Sequence, residues 1–149
     1  MMTYFGNKKI IKNYKTAFFC SRKCPADIIL RSFDWAKNKK GKGECVISCC
    51  HSRIEKDVFD ILLKGTQPLI LVLARGMKKR WPKEIKKAVE QNRLLVMSPF
   101  DKMITHITQE TANKRNEIMV NIADEVFLAY ATRNGNLDNL LKRVKIKRL

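Results

Sequence analysis

Glu44-Cys45-Val46-Ile47-Ser48-Cys49-Cys50-His51-Ser52-Arg53-Ile54-Glu55-Lys56-Asp57-Val58-Phe59-Asp60-Ile61-Leu62-Leu63 reads as a strand, a tight loop and a helix. Val46-Ile47 is β-branched. The pattern breaks at Ser48, and apolar residues return at Ile54, Val58, Ile61 and Leu62, the i, i+4, i+7, i+8 spacing of one helix face. Ser52 is placed to cap that helix, with Glu55 three residues on as in a capping box. A loop of this kind turns backbone N–H groups towards the space above the strand end, where the helix dipole favours an anion. An ordinary capped strand-to-helix turn would look the same, so the weight lies in how often the construction recurs.

It recurs along the chain. Thr16-Ala17-Phe18-Phe19 predicts a strand, Cys20 to Pro25 a loop, and Ala26 to Ala36 a helix with Ile29, Leu30, Phe33 and Ala36 inward. Asn38 to Gly43 supplies lysines and glycines suited to a helix end. Pro68 to Ala74 is nearly all apolar, as expected of a central strand covered on both faces. Arg75 to Trp81 is a loop, and Pro82 suits the first turn of a helix with Ile85, Ala88 and Val89 inward. Leu94 to Met97 is a strand, Thr108 to Ile122 a helix, Glu125 to Tyr130 a strand and Leu137 to Leu141 a short helix. Val144 to Lys147 alternates like an edge strand. Residues 1–14 carry little pattern and read as an N-terminal extension; 15–149 read as one domain. Five alternations of strand and helix predict an α/β fold in three layers, a mostly parallel sheet of about five strands with helices on both faces.

The 149 residues include 31 Lys+Arg against 14 Asp+Glu, a net charge of +17. Such self-repulsion points to a polyanionic partner. No run reaches the ~18 apolar residues of a membrane span, and the first residues lack a signal-peptide pattern. The expectation is a cytoplasmic protein with no membrane partner. Cys20, Cys24, Cys45, Cys49 and Cys50 are odd in number and argue against a disulfide framework. With His51 they lack the paired C-x-x-C spacing of a strong zinc site, so neither a metal nor a cofactor is expected.

Ligands of parallel α/β sheets bind beyond the carboxyl ends of the strands. The loops at those ends carry Ser21, Arg22 and Lys23; Ser48, Ser52 and Arg53; Arg75, Lys78, Lys79 and Arg80; Ser98; and Arg133. Arg115 and Asn116 on the fourth helix can lean in from the side, although Arg115 equally fits a solvated position beside Glu110 or Glu117. The arginines suit phosphates through forked hydrogen bonds. Trp81 or Phe100 could stack a base, with core packing as the other role for each.

The order of motifs resembles the Rossmann-like domain of the DprA/Smf DNA-processing proteins. The residues are Cys20-Ser21-Arg22; Ile47-Ser48-Cys49-Cys50-His51-Ser52-Arg53-Ile54-Glu55; Val72-Leu73-Ala74-Arg75-Gly76 to Trp81-Pro82; Leu94-Leu95-Val96-Met97-Ser98-Pro99; and Lys114-Arg115-Asn116-Glu117-Ile118, spanning about residues 15–141. The resemblance implies binding of single-stranded DNA at the sheet rim without catalysis, in protection of incoming DNA and recombinase loading. Cys49-Cys50 stands where that family has a glycine pair. Three function classes stay open. A nucleic-acid module, single-stranded DNA favoured, is supported by the rim residues. A nucleotide-binding sensor or phosphoribohydrolase-like enzyme would need a base such as Glu55, Asp57 or Glu117, and shows neither a carboxylate pair nor the glycine-rich loop of that group, so the balance leans away from an enzyme. A protein-docking face and a homo-oligomer remain open as well.

Overall fold

The computed structural model describes residues 2–149. Seven strands form one sheet: β1 (Thr3–Gly6), β2 (Lys15–Cys20), β3 (Cys45–Ser48), β4 (Leu69–Val72), β5 (Leu94–Ser98), β6 (Glu125–Tyr130) and β7 (Ile146–Arg148). Five helices accompany them: α1 (Ala26–Lys42), α2 (Arg53–Leu63), α3 (Lys83–Glu90), α4 (Gln109–Ile122) and α5 (Asn136–Leu141). The strand order is β1-β5-β4-β3-β2-β6-β7, and every pairing except β1 with β5 is parallel. The α/β reading holds, and the sheet is two strands wider than expected.

Alternation along the strands sorts the core. Phe18, Val46, Leu69, Leu71, Leu94, Val96 and Phe127 meet Ala36 of α1, Val58 and Leu62 of α2, and Ile85 of α3. Phe19, Ile47, Ile70, Val72, Leu95, Met97 and Leu128 face the other way, against Met119 of α4 and Leu141 of α5. Right-handed crossovers demand this division. From β2 to β5 the chain steps across the sheet in one direction, with α1, α2 and α3 on one face. It then returns past β2 to β6, so α4 must lie on the other. Trp35 of α1 packs at 4.8 Å from Phe18 and 4.7 Å from Phe127, ring centre to ring centre, and clamps α1 over the β2–β6 junction.

Four local expectations need correction. Residues read as a patternless extension hold β1, whose four residues are too few to show a period, and a 3-10 turn at Lys8–Lys12 that buries Ile10. α1 runs past Ala36 to Lys42, because Gly41 lies on an open face and the left-handed Gly43 is the true stop. Leu30, read as inward, is 66% exposed; Ala36 is buried as read, and Ser32, not read as inward, is buried with it. β4 is interior as expected, but β3 occupies the middle of the seven.

Gly6 ends β1 with φ +106, and a Cβ there would run into the Leu94 carbonyl oxygen of β5. Gly6→Ala should therefore destabilise the fold by about 1–3 kcal/mol, the range for a forced backbone conformation. Gly41→Ala, with open space around it, should stabilise by about 0.5 kcal/mol. Urea unfolding midpoints of the two variants should move in opposite directions.

Candidate nucleic-acid interface

The chain leaves β2 for β3 on one side and reaches β6 on the other, so the loops after β2 and β6 diverge. A groove of about 360 Å³ opens between them. Such a switch point is the expected binding place in an open α/β sheet. Ser21, Arg22 and Lys23 come to it from the loop after β2, His51 from the loop after β3, and Arg115 and Asn116 from α4. Thr132, Gly135 and Asn136 close it from the β6 side.

Ser21 holds the two lips together. Its N–H donates to the Tyr130 carbonyl at 2.8 Å, and its hydroxyl accepts from the Thr132 N–H at 3.0 Å. That leaves Arg22 and Lys23 exposed at the tip of the loop. The Arg22 guanidinium donates to Nε2 of His51 at 3.1 Å. A guanidinium has no acceptor, so this His51 nitrogen is unprotonated. Burial, then Arg115, Arg22 and Lys56, push the His51 pKa down to about 4.

Glu55 forms the support beneath. Its two oxygens accept from the Ser52 N–H at 2.8 Å and the Cys20 N–H at 3.2 Å. Ser52 accepts in turn from the Glu55 N–H at 3.2 Å, completing the capping box. Burial raises the Glu55 carboxyl pKa, opposed by those N–H donors and by the charge of Arg115. Arg115 itself is only 2% exposed. Its Nε and Nη2 both donate to Oδ1 of Asn116 at 3.1 Å. Among the described residues no carboxylate lies within ion-pairing distance of it. The solvated alternative for Arg115 is overturned: a guanidinium lies in the groove wall, answered by the more distant charge of Glu55.

The other rim residues are not gathered there. Ser48 is fully buried, its hydroxyl accepting from the Cys50 N–H at 3.4 Å. Ser52 is buried as the cap. Arg53 is exposed but pairs with Asp57 at 3.2 Å, one turn along α2. Arg75 turns its Nε onto the Gly76 carbonyl at 3.2 Å, and Ser98 is buried, donating to the Arg75 carbonyl. Lys78 sits 5.4 Å over the Trp81 ring and lines a second groove, of about 910 Å³, between α2 and α3. Lys79 and Arg133 are exposed. Trp81 stacks on Phe5 at 5.9 Å. Sequence reasoning brought α4 and the β6 loop to the rim but did not assign Gln109, Asn113 or Asn136 to the site, because it weighed cations and hydroxyls and passed over neutral amides.

Cys50 has φ +53, a conformation glycine adopts freely. The loop therefore keeps a glycine-like backbone at a cysteine. Burial pushes the Cys50 thiol up to about 12 and the Cys49 thiol well above its ordinary value, so both stay protonated near neutrality.

A Gln at position 55 keeps one acceptor and turns an NH2 group onto a backbone N–H. Glu55→Gln should destabilise by about 3 kcal/mol, the upper range for an unsatisfied buried donor. Ser52→Ala, which removes only the cap acceptor, should cost about 1 kcal/mol. Denaturant unfolding of the two variants checks the order.

A protein-family model described as DNA recombination-mediator protein A matches residues 1–139. Among curated proteins none matches the sequence. Two solved structures share the fold. One is DNA processing protein A from Helicobacter pylori, whose report concerns its single-stranded DNA binding mode, with TM-score 0.75 and 16% identity. The alignment covers 94% of this chain and 66% of that one. The other is DNA processing protein A from Streptococcus pneumoniae, with TM-score 0.77 and 20% identity, over 95% of this chain and 50% of that one. The chain thus spans between half and two thirds of the length of these relatives.

Proposed function

The chain belongs to the DNA recombination-mediator protein A family, and on that premise we propose that it is a non-catalytic module holding single-stranded DNA by its phosphates at the switch-point groove. The observation that carries the reading is Arg115: a nearly buried guanidinium in the groove wall with no carboxylate paired to it. A phosphate entering the groove would find that charge in a place of low water access, where a charge-assisted hydrogen bond is strong. Arg22 and Lys23 stand at the mouth to meet the neighbouring phosphates. Lys78, Lys79 and Arg53 lie outside the groove and serve as steering charges along the exposed strand, with Arg75 and the buried Ser48 and Ser52 shaping the loops. Trp81, beside Lys78, offers an aromatic surface for a base further along.

An enzymatic reading has less to draw on. Both Glu55 oxygens are occupied by backbone donors, and Glu117 is an exposed residue of α4 that does not line the groove. No helix among the described residues is long and apolar enough to cross a membrane; a cytoplasmic location fits a partner that is DNA.

With 17 excess positive charges, weak binding to any polyanion is expected and decides nothing. The test compares Arg22→Ala with Lys42→Ala. Lys42 is exposed at the C-terminal end of α1, on the pole away from the groove. Arg22→Ala should weaken single-stranded DNA binding by about 1.5–3 kcal/mol and lower the log–log salt slope by roughly 0.7. Lys42→Ala should lose only its share of the diffuse field, and Arg53→Ala should fall between the two. Equal losses in folded variants would mean that the groove is not the site.

A further inference from the structure

We propose that His51 couples the groove to proton uptake: as a neutral imidazole it positions Arg22 while the groove is empty, and it takes a proton from solvent and donates to a phosphate oxygen when a phosphate enters. This rests on the reading of the groove as a phosphate site and adds a pH dependence to it.

The geometry is a histidine held between cations. Arg22 reaches its Nε2 from the loop after β2 at 3.1 Å. Arg115 faces it from α4 and Lys56 from α2, and the buried Glu55 lies on the same wall. The β6 side contributes Thr132, Gly135 and Asn136, none of them charged. Imidazole carries one donor and one acceptor, and Arg22 engages the acceptor. Protonation of the empty groove would set a third positive charge between Arg22 and Arg115 and break the Arg22 contact. An anion reverses that balance. A phosphate among Arg22, Arg115 and His51 cancels the repulsion and offers oxygens to accept from both guanidinium groups and from Nε2–H.

The sign follows from linkage. Without ligand the His51 pKa is pushed down to about 4 by burial and by Arg115, Arg22 and Lys56. A bound phosphate neutralises those cations and lifts it, so the complex holds a proton that the free protein lacks. Affinity then rises as pH falls through the bound-state pKa and levels off below the free-state value. If binding restores an ordinary histidine value of ~6.5, the gain between pH 8 and pH 5.5 is about tenfold.

The probe is oligothymidylate, whose bases take up no proton in this range. Affinity is measured at constant ionic strength from pH 8 to pH 5.5, with the imidazole titrations followed by NMR. The wild type should gain about tenfold in affinity, and the His51 titration should move up by at least one unit on binding. His51→Gln keeps a neutral acceptor for Arg22 and cannot take a proton, so whatever its affinity at pH 8 it should show no gain as the pH falls. His51→Ala frees Arg22 and should be several-fold weaker already at pH 8. A flat profile in a wild type that binds, or the same gain in folded His51→Gln, overturns the coupling and leaves the DNA reading standing. No binding by wild type at any pH overturns the DNA reading and the coupling with it.

Discussion

The groove depends on one carboxylate. Glu55 is the third residue of α2, yet its oxygens reach the Cys20 N–H at the end of β2 as well as the Ser52 N–H at its own helix start. Two neighbouring parallel strands are thereby tied at their carboxyl ends, where the ladder of sheet hydrogen bonds has already run out. Cys20 marks a register irregularity in the pairing of β2 with β6. Without an acceptor there, its N–H would be a buried donor left over at the point where the chain splits. The tie fixes the start of the loop that carries Arg22, the start of α2, and the turn that presents His51. It also supplies the negative charge that makes a buried Arg115 tolerable.

Local patterns in the sequence led to the elements, and their order led to the class. β4 reads Leu69-Ile70-Leu71-Val72 because both of its faces are covered, and α2 shows its stripe because only one of its faces is. β1 and the full length of α1 escaped for opposite reasons. The strand is too short for a period, while Gly41 imitates a stop in a helix that continues to Gly43. The site was harder to see because its making is not local. Residue type alone marks Arg115, Arg53 and Arg75 alike. Burial separates the first, an ion pair with Asp57 occupies the second, and a backbone carbonyl takes the third. Ser48 and Ser52 have the chemistry of phosphate ligands and spend it on the loop itself. His51, weighed in the sequence only beside the cysteines, meets Arg22 because β2 and β3 are neighbours in the sheet.

Positive charge is in excess over the surface, and a few of the cations are answered locally. Lys15 pairs with Asp124 at 3.1 Å, Lys147 with Glu125 at 3.1 Å, and Lys39 with Glu44. Arg93 is spent inside, donating to the carbonyls of Leu62, Leu63 and Gln67 around the C-terminal end of α2. A cation there satisfies the free carbonyls and meets the negative end of the helix dipole. Each of these ion pairs has one partner largely buried and the other nearer the surface, and Arg93 caps a helix end. The groove differs in kind, because its arginines meet a histidine and an asparagine rather than carboxylates.

The cysteine pair limits what the groove, on the reading proposed above, can offer a phosphate. A glycine pair at this turn would let an anion approach the backbone closely. Here Cys49 is buried on the α4 face of the sheet and Cys50 packs against the α2 face. The loop is thus pinned from both sides of the core, while Cys50 retains the positive φ that a glycine would supply. A Cβ at that position narrows access to the backbone N–H groups. On the proposed reading, recognition falls to side chains that line the groove rather than to the main chain: Arg22 from one lip, Arg115 from the wall, and His51 from the residue next to the pair. A loop that gives up backbone contact needs firm placement of those side chains, and the packing of buried Cys49 and half-buried Cys50, both thiols held protonated, favours it.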